Sequence, residues 1–371
     1  MILHLIRYDF KFSQSVRLHF ESVDPGNHVY VAVKLTEHQE NTLGEGFLYV
    51  SSEDELQEIV QERTDWEAVI VNGLLAELWP YRNVIPAGLP KAYYLWGVEA
   101  YNAVISSPCE LFEPATARHA LTVRKRLRSV LYRLSGRLGR LRRRTKEVGQ
   151  IFDFGIFPIK EEVDFFIGQE VLSEEIEYVF GSAGGGIDFS DAAFSSRSMG
   201  SGVLVGNSGD PNSNHFDAFL WLSEQEVVND CKIIVPLSYG GTESYRQKVI
   251  EYGRQLFGDR FTPLLEFIPY DSYLELMASC GCVVMNHKRQ QGAGNILRAA
   301  AMGATVCLQS STTVAKGLLR MGVEIRSVGS GSNTLKLLSQ DARRENMKLC
   351  REIFSRERGM DQLRLLLDKM R

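Results

Sequence analysis

Twice in its second half this chain runs from a short apolar stretch into glycines and small polar residues, and then into an amphipathic stretch. The first is Val203-Leu204-Val205-Gly206-Asn207-Ser208-Gly209-Asp210; the second, roughly eighty residues later, is Lys288-Arg289-Gln290-Gln291-Gly292-Ala293-Gly294-Asn295. A parallel strand hands over to a helix in this way, and the free N–H groups at the start of such a helix can hold a phosphate. One such turn is only punctuation after a strand; two in one half of the chain point to a diphosphate site. The first lacks the Gly-x-Gly-x-x-Gly spacing of a dinucleotide fold and the Lys-Ser/Thr ending of a nucleoside-triphosphate loop, so NAD and ATP lose support. The second brings two cations, Lys288 and Arg289, directly before its glycines, where a guanidinium neutralises a leaving diphosphate without a metal.

The rest of the chain repeats the same alternation. Ile2–Ile6 and Val29–Val33 are apolar runs of strand length, separated by a helical pattern through Val16, Leu18 and Phe20. Further strands are expected at 47–50, 68–71, 92–96, 150–154 and near Tyr178, with a helix over 52–63 opened by the capping box Ser52-x-x-Glu55. The glycine- and serine-rich residues 181–201 read as a linker. Beyond it, strands at 202–205, 232–236, before Ile268, 282–285 and 305–308 alternate with helices at 213–222, 243–257, 271–279 and 294–302. Such alternation builds α/β doubly wound sheets with ligands at the carboxyl ends of their strands. The expected division is a first domain over 1–180, a linker over 181–201, a second domain over 202–335 and C-terminal helices over 336–371.

Charge is distributed unevenly. Between Arg118 and Lys146 there are twelve Lys or Arg and no Asp or Glu, so a chain of net charge −4 carries −16 outside this segment. Leu121, Leu127, Val130, Leu131, Leu134, Leu138 and Leu141 give the same segment an apolar stripe. A cationic helix with such a stripe lies readily on an anionic membrane; it would equally serve as a surface helix packing its leucines on its own domain. Few aromatics interleave the arginines, so nucleic acid is not the expected partner. No apolar run approaches the length of a membrane span, and Met1–Arg7 reads as a first strand rather than a signal peptide. The six cysteines lack CxxC spacing and sit in apolar patterns, as reduced buried thiols do.

The strings VGNSGDPNSNH, IIVPLSYG, EFIPYDSYLELMASCGCVV and KRQQGAGNILRAAAMG, over residues 203–308, resemble glycosyltransferase family 56. In the first half the resemblance rests on the opening strand and on Tyr94-Leu95-Trp96-Gly97-Val98-Glu99-Ala100-Tyr101. Where the family commonly has Trp-Gly-x-Asp, this chain keeps a carboxylate as Glu99. The resemblance implies a GT-B enzyme, two Rossmann-like domains facing a cleft, with a C-terminal helix crossing back to brace the first. It further implies transfer of a 4-acetamido-4,6-dideoxygalactose-like sugar from a dTDP-sugar to a polyprenyl-diphosphate-linked oligosaccharide, on the cytoplasmic face of the bacterial inner membrane, in surface polysaccharide assembly.

Transfer from a nucleotide-sugar needs positive charge at the leaving diphosphate, a base near the incoming hydroxyl and exclusion of water. Arg289 and the amides of Gly292 and Gly294 are placed for the diphosphate, with Gly206, Asn207, Ser208, Gly209, Asp210 and Asn295 around them. Gln290 and Gln291 are placed for sugar hydroxyls or an acetamido group unless they form a solvated loop, and Tyr239 for the base unless it only packs. The general base is sought in the first domain: Glu99, in an aromatic setting after a strand, is the leading candidate and Asp9, after the opening strand, the other, and each could also be a loop carboxylate or helix cap. His4 reads as a core histidine and His215 as a residue near a helix start. No DxD motif follows a strand, so neither a catalytic metal nor another cofactor is expected. A nucleotide-sugar 2-epimerase and a non-catalytic sugar-nucleotide-binding membrane scaffold are the alternative readings.

Overall fold

The computed structural model describes residues 1–9, 12–35, 43–105, 107–122, 136–181, 185–190, 200–329 and 334–371. The chain divides into two compact units: unit 1 of Met1–Ser106, Tyr132–Ile187 and Phe354–Arg371, and unit 2 of Ser107–Leu131 and Asp188–Ile353.

Unit 1 contains β1 (Ile2–Arg7), α1 (Ser13–Val23), β2 (His28–Val33), β3 (Phe47–Val50), α2 (Glu53–Gln61), β4 (Ala68–Asn72), β5 (Lys91–Tyr94) and α3 (Val98–Val104). After α4 (Pro114–Ala120), which lies in unit 2, come α5 (Arg137–Gly149), β6 (Phe154–Phe157), α6 (Lys160–Gly168) and β7 (Glu177–Phe180). Among the described residues its strands form one parallel sheet in the order β3-β2-β1-β4-β5-β6-β7. The central strands are buried, β4 along its whole length and β1 up to the half-buried Arg7, as helices on both faces of a parallel sheet require. In α1 the inward residues are Val16 and Phe20; Leu18, two positions on and therefore about 200° around the axis from Val16, is 63% exposed.

Ser52 caps α2, its hydroxyl accepting from the Glu55 amide, but the reciprocal arm of the box goes one residue further back, from the Ser51 N–H to the Glu55 carboxylate. The strand expected over 150–154 begins instead at Phe154. Gln150 and Ile151 donate their amides to the Lys146 and Val148 carbonyls and so close α5, and Asp153 accepts from the Lys91 amide.

Of the basic segment 118–146, residues 118–122 in and after α4 and helix α5 are described; residues 123–135 lie outside the described residues. Leu138, Thr145, Val148 and Gly149 face inward, and the Arg142 guanidinium donates to the carbonyls of Ala103 and Val104 at the end of α3. Arg144 lies 4.4 Å over the Trp79 ring. Arg137, Arg140 and Arg143 point to solvent. The helix meets the chain so closely at Gly149 that a Cβ there would fall 1.7 Å from the Val171 carbonyl oxygen. Gly149→Ala should therefore lower the unfolding temperature by several degrees, an overpacking cost of about 1–3 kcal/mol; a calorimetric scan matching wild type would show that α5 yields there freely.

The second unit holds β8 (Gly202–Val205), α7 (His215–Ser223), β9 (Ile233–Pro236), α8 (Glu243–Phe257), β10 (Phe261–Leu264), α9 (Tyr270–Ala278) and β11 (Cys280–Met285). There follow α10 (Ala293–Ala301), β12 (Thr305–Leu308), α11 (Thr313–Arg320), β13 (Arg326–Ser327) and α12 (Gln340–Phe354). Its sheet is parallel, in the order β10-β9-β8-β11-β12-β13 among the described residues. β10 is an edge strand that stops at Leu264 rather than near Ile268, because its neighbour β9 ends opposite at Pro236 and the last ladder bond runs from the Leu237 amide to Leu264. Ala115 and Ala120 of α4 join the core of this unit, and the Asp217 carboxylate accepts from the amides of Ala115 and Thr116. The stretch after residue 107 thus folds with the second sheet although it was expected within 1–180. The final helix, α13 (Arg356–Met370), packs Leu363, Leu366, Leu367 and Met370 into the core of unit 1.

Candidate donor site

Both glycine turns leave neighbouring strands, β8 and β11, where the strand order of the second sheet reverses. Ligands of doubly wound sheets bind at the carboxyl ends of strands at this switch point. Gly206 has φ +71° and donates its amide to the Val284 carbonyl at 2.9 Å; a Cβ would sit 3.2 Å from the His215 ring. Gly292 has φ +65° and opens α10, with a Cβ position 3.3 Å from the Asn207 carboxamide.

Asn207 joins the turns. Its Oδ1 accepts from the Gln291 Nε2 at 3.2 Å, and its side chain hydrogen-bonds Tyr239 from the β9–α8 loop. Behind it the Asn214 carboxamide donates to the Asn286 carbonyl at 2.9 Å, and Gln309 donates to the Asn286 Oδ1 at 2.8 Å and to Glu113 at 3.1 Å. A fully bonded polar layer of this kind holds the loops in one arrangement. Arg289 is half-buried beside the second turn, donating to the Gln290 carbonyl at 2.9 Å, and Gln290 is buried. Asn295, in the first turn of α10, donates to the Tyr273 hydroxyl; Gly294 is exposed beside it.

Several expectations need correcting. The Gly209 amide is spent on the Tyr239 carbonyl at 2.7 Å, and that of Gly206 on β11, so these two are not phosphate donors. Asp210 caps the short helical turn that follows, accepting from the Asn212 amide at 2.8 Å, while its own amide donates to the Ser208 hydroxyl. Lys288 is paired with Glu113 at 3.4 Å, and Arg298 donates to the Gly294 carbonyl at 3.0 Å, while Arg289 precedes the second turn in the chain. His215 opens α7, as expected, and is buried there, bonded to the Tyr245 hydroxyl at 3.2 Å, and burial pushes its ring down to about 4. His4 is the core histidine expected, buried against His28 with 3.0 Å between ring nitrogens.

In unit 1 the two candidate carboxylates also follow strands of the sheet. Asp9, after β1, is half-buried and accepts from the Phe12 amide at 3.0 Å. Glu99, in the first turn of α3, is 3% exposed; its Oε1 accepts from the Tyr93 hydroxyl at 2.6 Å and from the amides of Trp96 and Gly97 at 2.9 and 3.2 Å. The aromatic setting expected to tune Glu99 therefore uses it to close the Trp96–Gly97 turn. The Trp96 ring lies on Gly73, where a Cβ would come within 2.5 Å of it. Sequence reasoning passed over Glu113, Asn286, His287 and Gln309; the signal was the polar pair Asn286-His287 directly after a fully buried strand. Among the described residues no cluster of His, Cys, Asp or Glu is arranged to hold a metal ion.

Two doubly wound parallel sheets are the architecture of the GT-B class of sugar-transferring enzymes, and solved structures of that class match the whole chain. HepE from Anabaena, in complex with UDP, matches with a TM-score of 0.67 at 12% identity over 99% of each chain. A glycosyltransferase from Rickettsia africae matches at 0.63 and 9% identity, covering 100% of this chain and 98% of that one. WaaG, a glycosyltransferase of lipopolysaccharide biosynthesis, matches at 0.52 and 13%, over 99% and 95%. At such identities the likeness is one of fold. The sequence model of the 4-alpha-L-fucosyltransferase family, glycosyl transferase group 56, matches residues 132–336, more than half of the chain. The chain belongs to glycosyltransferase family 56.

Proposed function

We propose that this enzyme moves a 4-acetamido-4,6-dideoxygalactose-like sugar from a dTDP-sugar to a polyprenyl-diphosphate-linked oligosaccharide. The observation that carries the reading is the joining of both glycine turns through Asn207 at the switch point, with Arg289 beside them. The UDP bound in HepE, a relative in fold, supports a nucleoside diphosphate as the ligand there. In the reaction the acceptor hydroxyl oxygen bonds to the anomeric carbon as the bond from that carbon to the diphosphate oxygen breaks. Arg289 and the Gly292 turn take the charge of the departing dTDP, and Asp9, the more accessible carboxylate, takes the hydroxyl proton. Glu99 holds the Trp96–Gly97 turn in shape.

Incubation with a panel of nucleotide-sugars and a lipid-linked acceptor, read by product mass, tests this directly. A sugar added to the lipid-linked glycan supports it; a changed sugar still attached to its nucleotide indicates a 2-epimerase, and no product at all a binding scaffold.

The acceptor's lipid calls for a membrane surface. No helix among the described residues is long and apolar enough to cross one, so the basic segment 118–146 is the proposed contact, on the cytoplasmic face of the inner membrane. Arg142 and Arg144 pack within unit 1, and Arg137, Arg140 and Arg143, the last beside Glu147 at 3.8 Å, are the exposed arginines of α5 proposed to meet lipid. Each juxtamembrane cation contributes roughly 1 kcal/mol. Changing those three to Gln should lower binding to anionic vesicles by on the order of 100-fold, with the remaining attraction weakening as salt rises. Equal sedimentation of the two proteins would leave α5 an ordinary solvated helix.

A further inference from the structure

Two cations of unit 1 share one aromatic ring and have no acid of their own. Arg82 and Arg144 both lie over the indole of Trp79, their guanidinium carbons 3.9 and 4.4 Å from the ring centroid. Neither forms an ion pair among the described residues. The neighbouring acid, Glu147, is already engaged: it accepts from the Trp79 Nε1 at 2.7 Å and stands 3.8 Å from Arg143. Like charges gathered on one ring repel each other, and an anion placed against both removes that cost.

Stacking uses the flat face of a guanidinium and leaves its N–H edge for other partners. The half-buried Arg82 spends one N–H on the Trp79 carbonyl at 2.7 Å and is fixed by it; Arg144 is exposed on α5. A diphosphate offers each fork a phosphoryl group of its own, where a monophosphate would satisfy one.

The place in the fold suits the acceptor. Trp79 belongs to the helical turn Ala76–Tyr81, which follows β4 at the carboxyl edge of the first sheet, where ligands of such sheets bind. β4 pairs with β1, the strand that leads to Asp9, and Glu77 of the same turn binds Arg7 at 3.3 Å. Helix α5, proposed above to meet the membrane, packs against the turn. A lipid-linked glycan carries its diphosphate between lipid and sugar, so a site for it belongs between the membrane helix and the base. Trp79 is bonded to the one and shares a sheet edge with the other.

We propose that Arg82 and Arg144, held on Trp79, form a second anion site, in unit 1, which binds the diphosphate of the lipid-linked acceptor. The site rests on the transfer reading for its ligand and adds where the acceptor is gripped.

The test is calorimetric titration of the full chain with farnesyl diphosphate, with dTDP present at just the level that fills the donor site. Wild type should bind, and Arg144→Gln, which alters an exposed side chain, should raise the Kd on the order of 10-fold with the unfolding temperature unchanged. Arg82→Gln should do the same; if that half-buried change unfolds the chain, the Arg144 result decides alone. The variant with Arg137, Arg140 and Arg143 changed to Gln should keep its affinity within about twofold, those cations being proposed for the bilayer. Farnesyl phosphate should bind more weakly than the diphosphate. Equal losses in both sets of variants would mean general attraction to a basic surface and overturn the proposal. So would an unchanged Kd in Arg144→Gln, equal affinity for the two lipids, or no binding by wild type. If the nucleotide-sugar panel yields no lipid-linked product, the transfer reading falls while an Arg144-dependent diphosphate site still stands; transfer without such a site overturns this proposal alone.

Discussion

Arg289→Ala should lower kcat on the order of 100-fold while leaving the unfolding temperature close to that of wild type. The guanidinium is only half-buried, and the turn it borders is held by others: Asn207, Gln291 and the Asn286 layer behind them. Removing it therefore takes little from the fold. What it takes from the proposed reaction is a guanidinium beside the second turn, where the charge of the departing diphosphate is proposed to develop, Lys288 being tied to Glu113. One such electrostatic donor is worth about 2.7–4 kcal/mol at the transition state. Arg289→Lys should recover only part, because an ammonium cannot present the planar fork to two phosphate oxygens. A folded alanine variant with wild-type turnover would remove Arg289 from the reaction.

The two carboxylates of unit 1 separate in the same assay. Asp9→Asn should depress transfer by roughly 100- to 10,000-fold, the usual range for a general base, with dTDP affinity unchanged. Glu99→Gln should act mainly on stability. It replaces a carboxylate that accepts three hydrogen bonds with an amide whose nitrogen meets no acceptor in that buried turn, at a cost of about 1–3 kcal/mol. Transfer should fall far less than in the Asp9 variant. Normal turnover in Asp9→Asn, paired with an inactive but equally stable Glu99→Gln, would return the proton to Glu99.

The sheets were legible because parallel strands buried on both faces are written as plain apolar runs: β8, α8 and β12 lie where periodicity and turn signals put them. Ends were harder, since they depend on partners. β10 stops where Pro236 ends its neighbour, and Gln150 and Ile151, at the start of a run apolar enough for a strand, instead close α5. The glycines pointed to the proposed donor site, but which amides are left without a backbone partner could not be read from them. Gly209 is consumed by Tyr239, a residue thirty positions away, and no local pattern encodes that pairing. Glu99 shows the same limit. Its aromatic neighbours were visible in the sequence; that the Tyr93 hydroxyl would point at it, 2.6 Å away, was not.

The last helix sets an order of events in the making of the protein. The chain leaves unit 1 after Ile187 and rejoins it at Phe354, the two passes meeting where the Ile187 amide donates to the Phe354 carbonyl at 2.8 Å and the Arg356 amide to the Ile187 carbonyl at 3.0 Å. On a ribosome, β1 to β7 emerge first, yet the leucines of α13 that cover Ile2, Ile6 and Phe20 arrive only after all of β8 to β13 has been made. Domains ordinarily fold as units in the sequence of their synthesis. Here the earlier sheet must wait, its apolar face open, for the later one to finish. Nascent chains stalled before residue 356 should accordingly resist protease over β8 to β13 and be cut within β1 to β7; protection of both would show that unit 1 closes without its final helix.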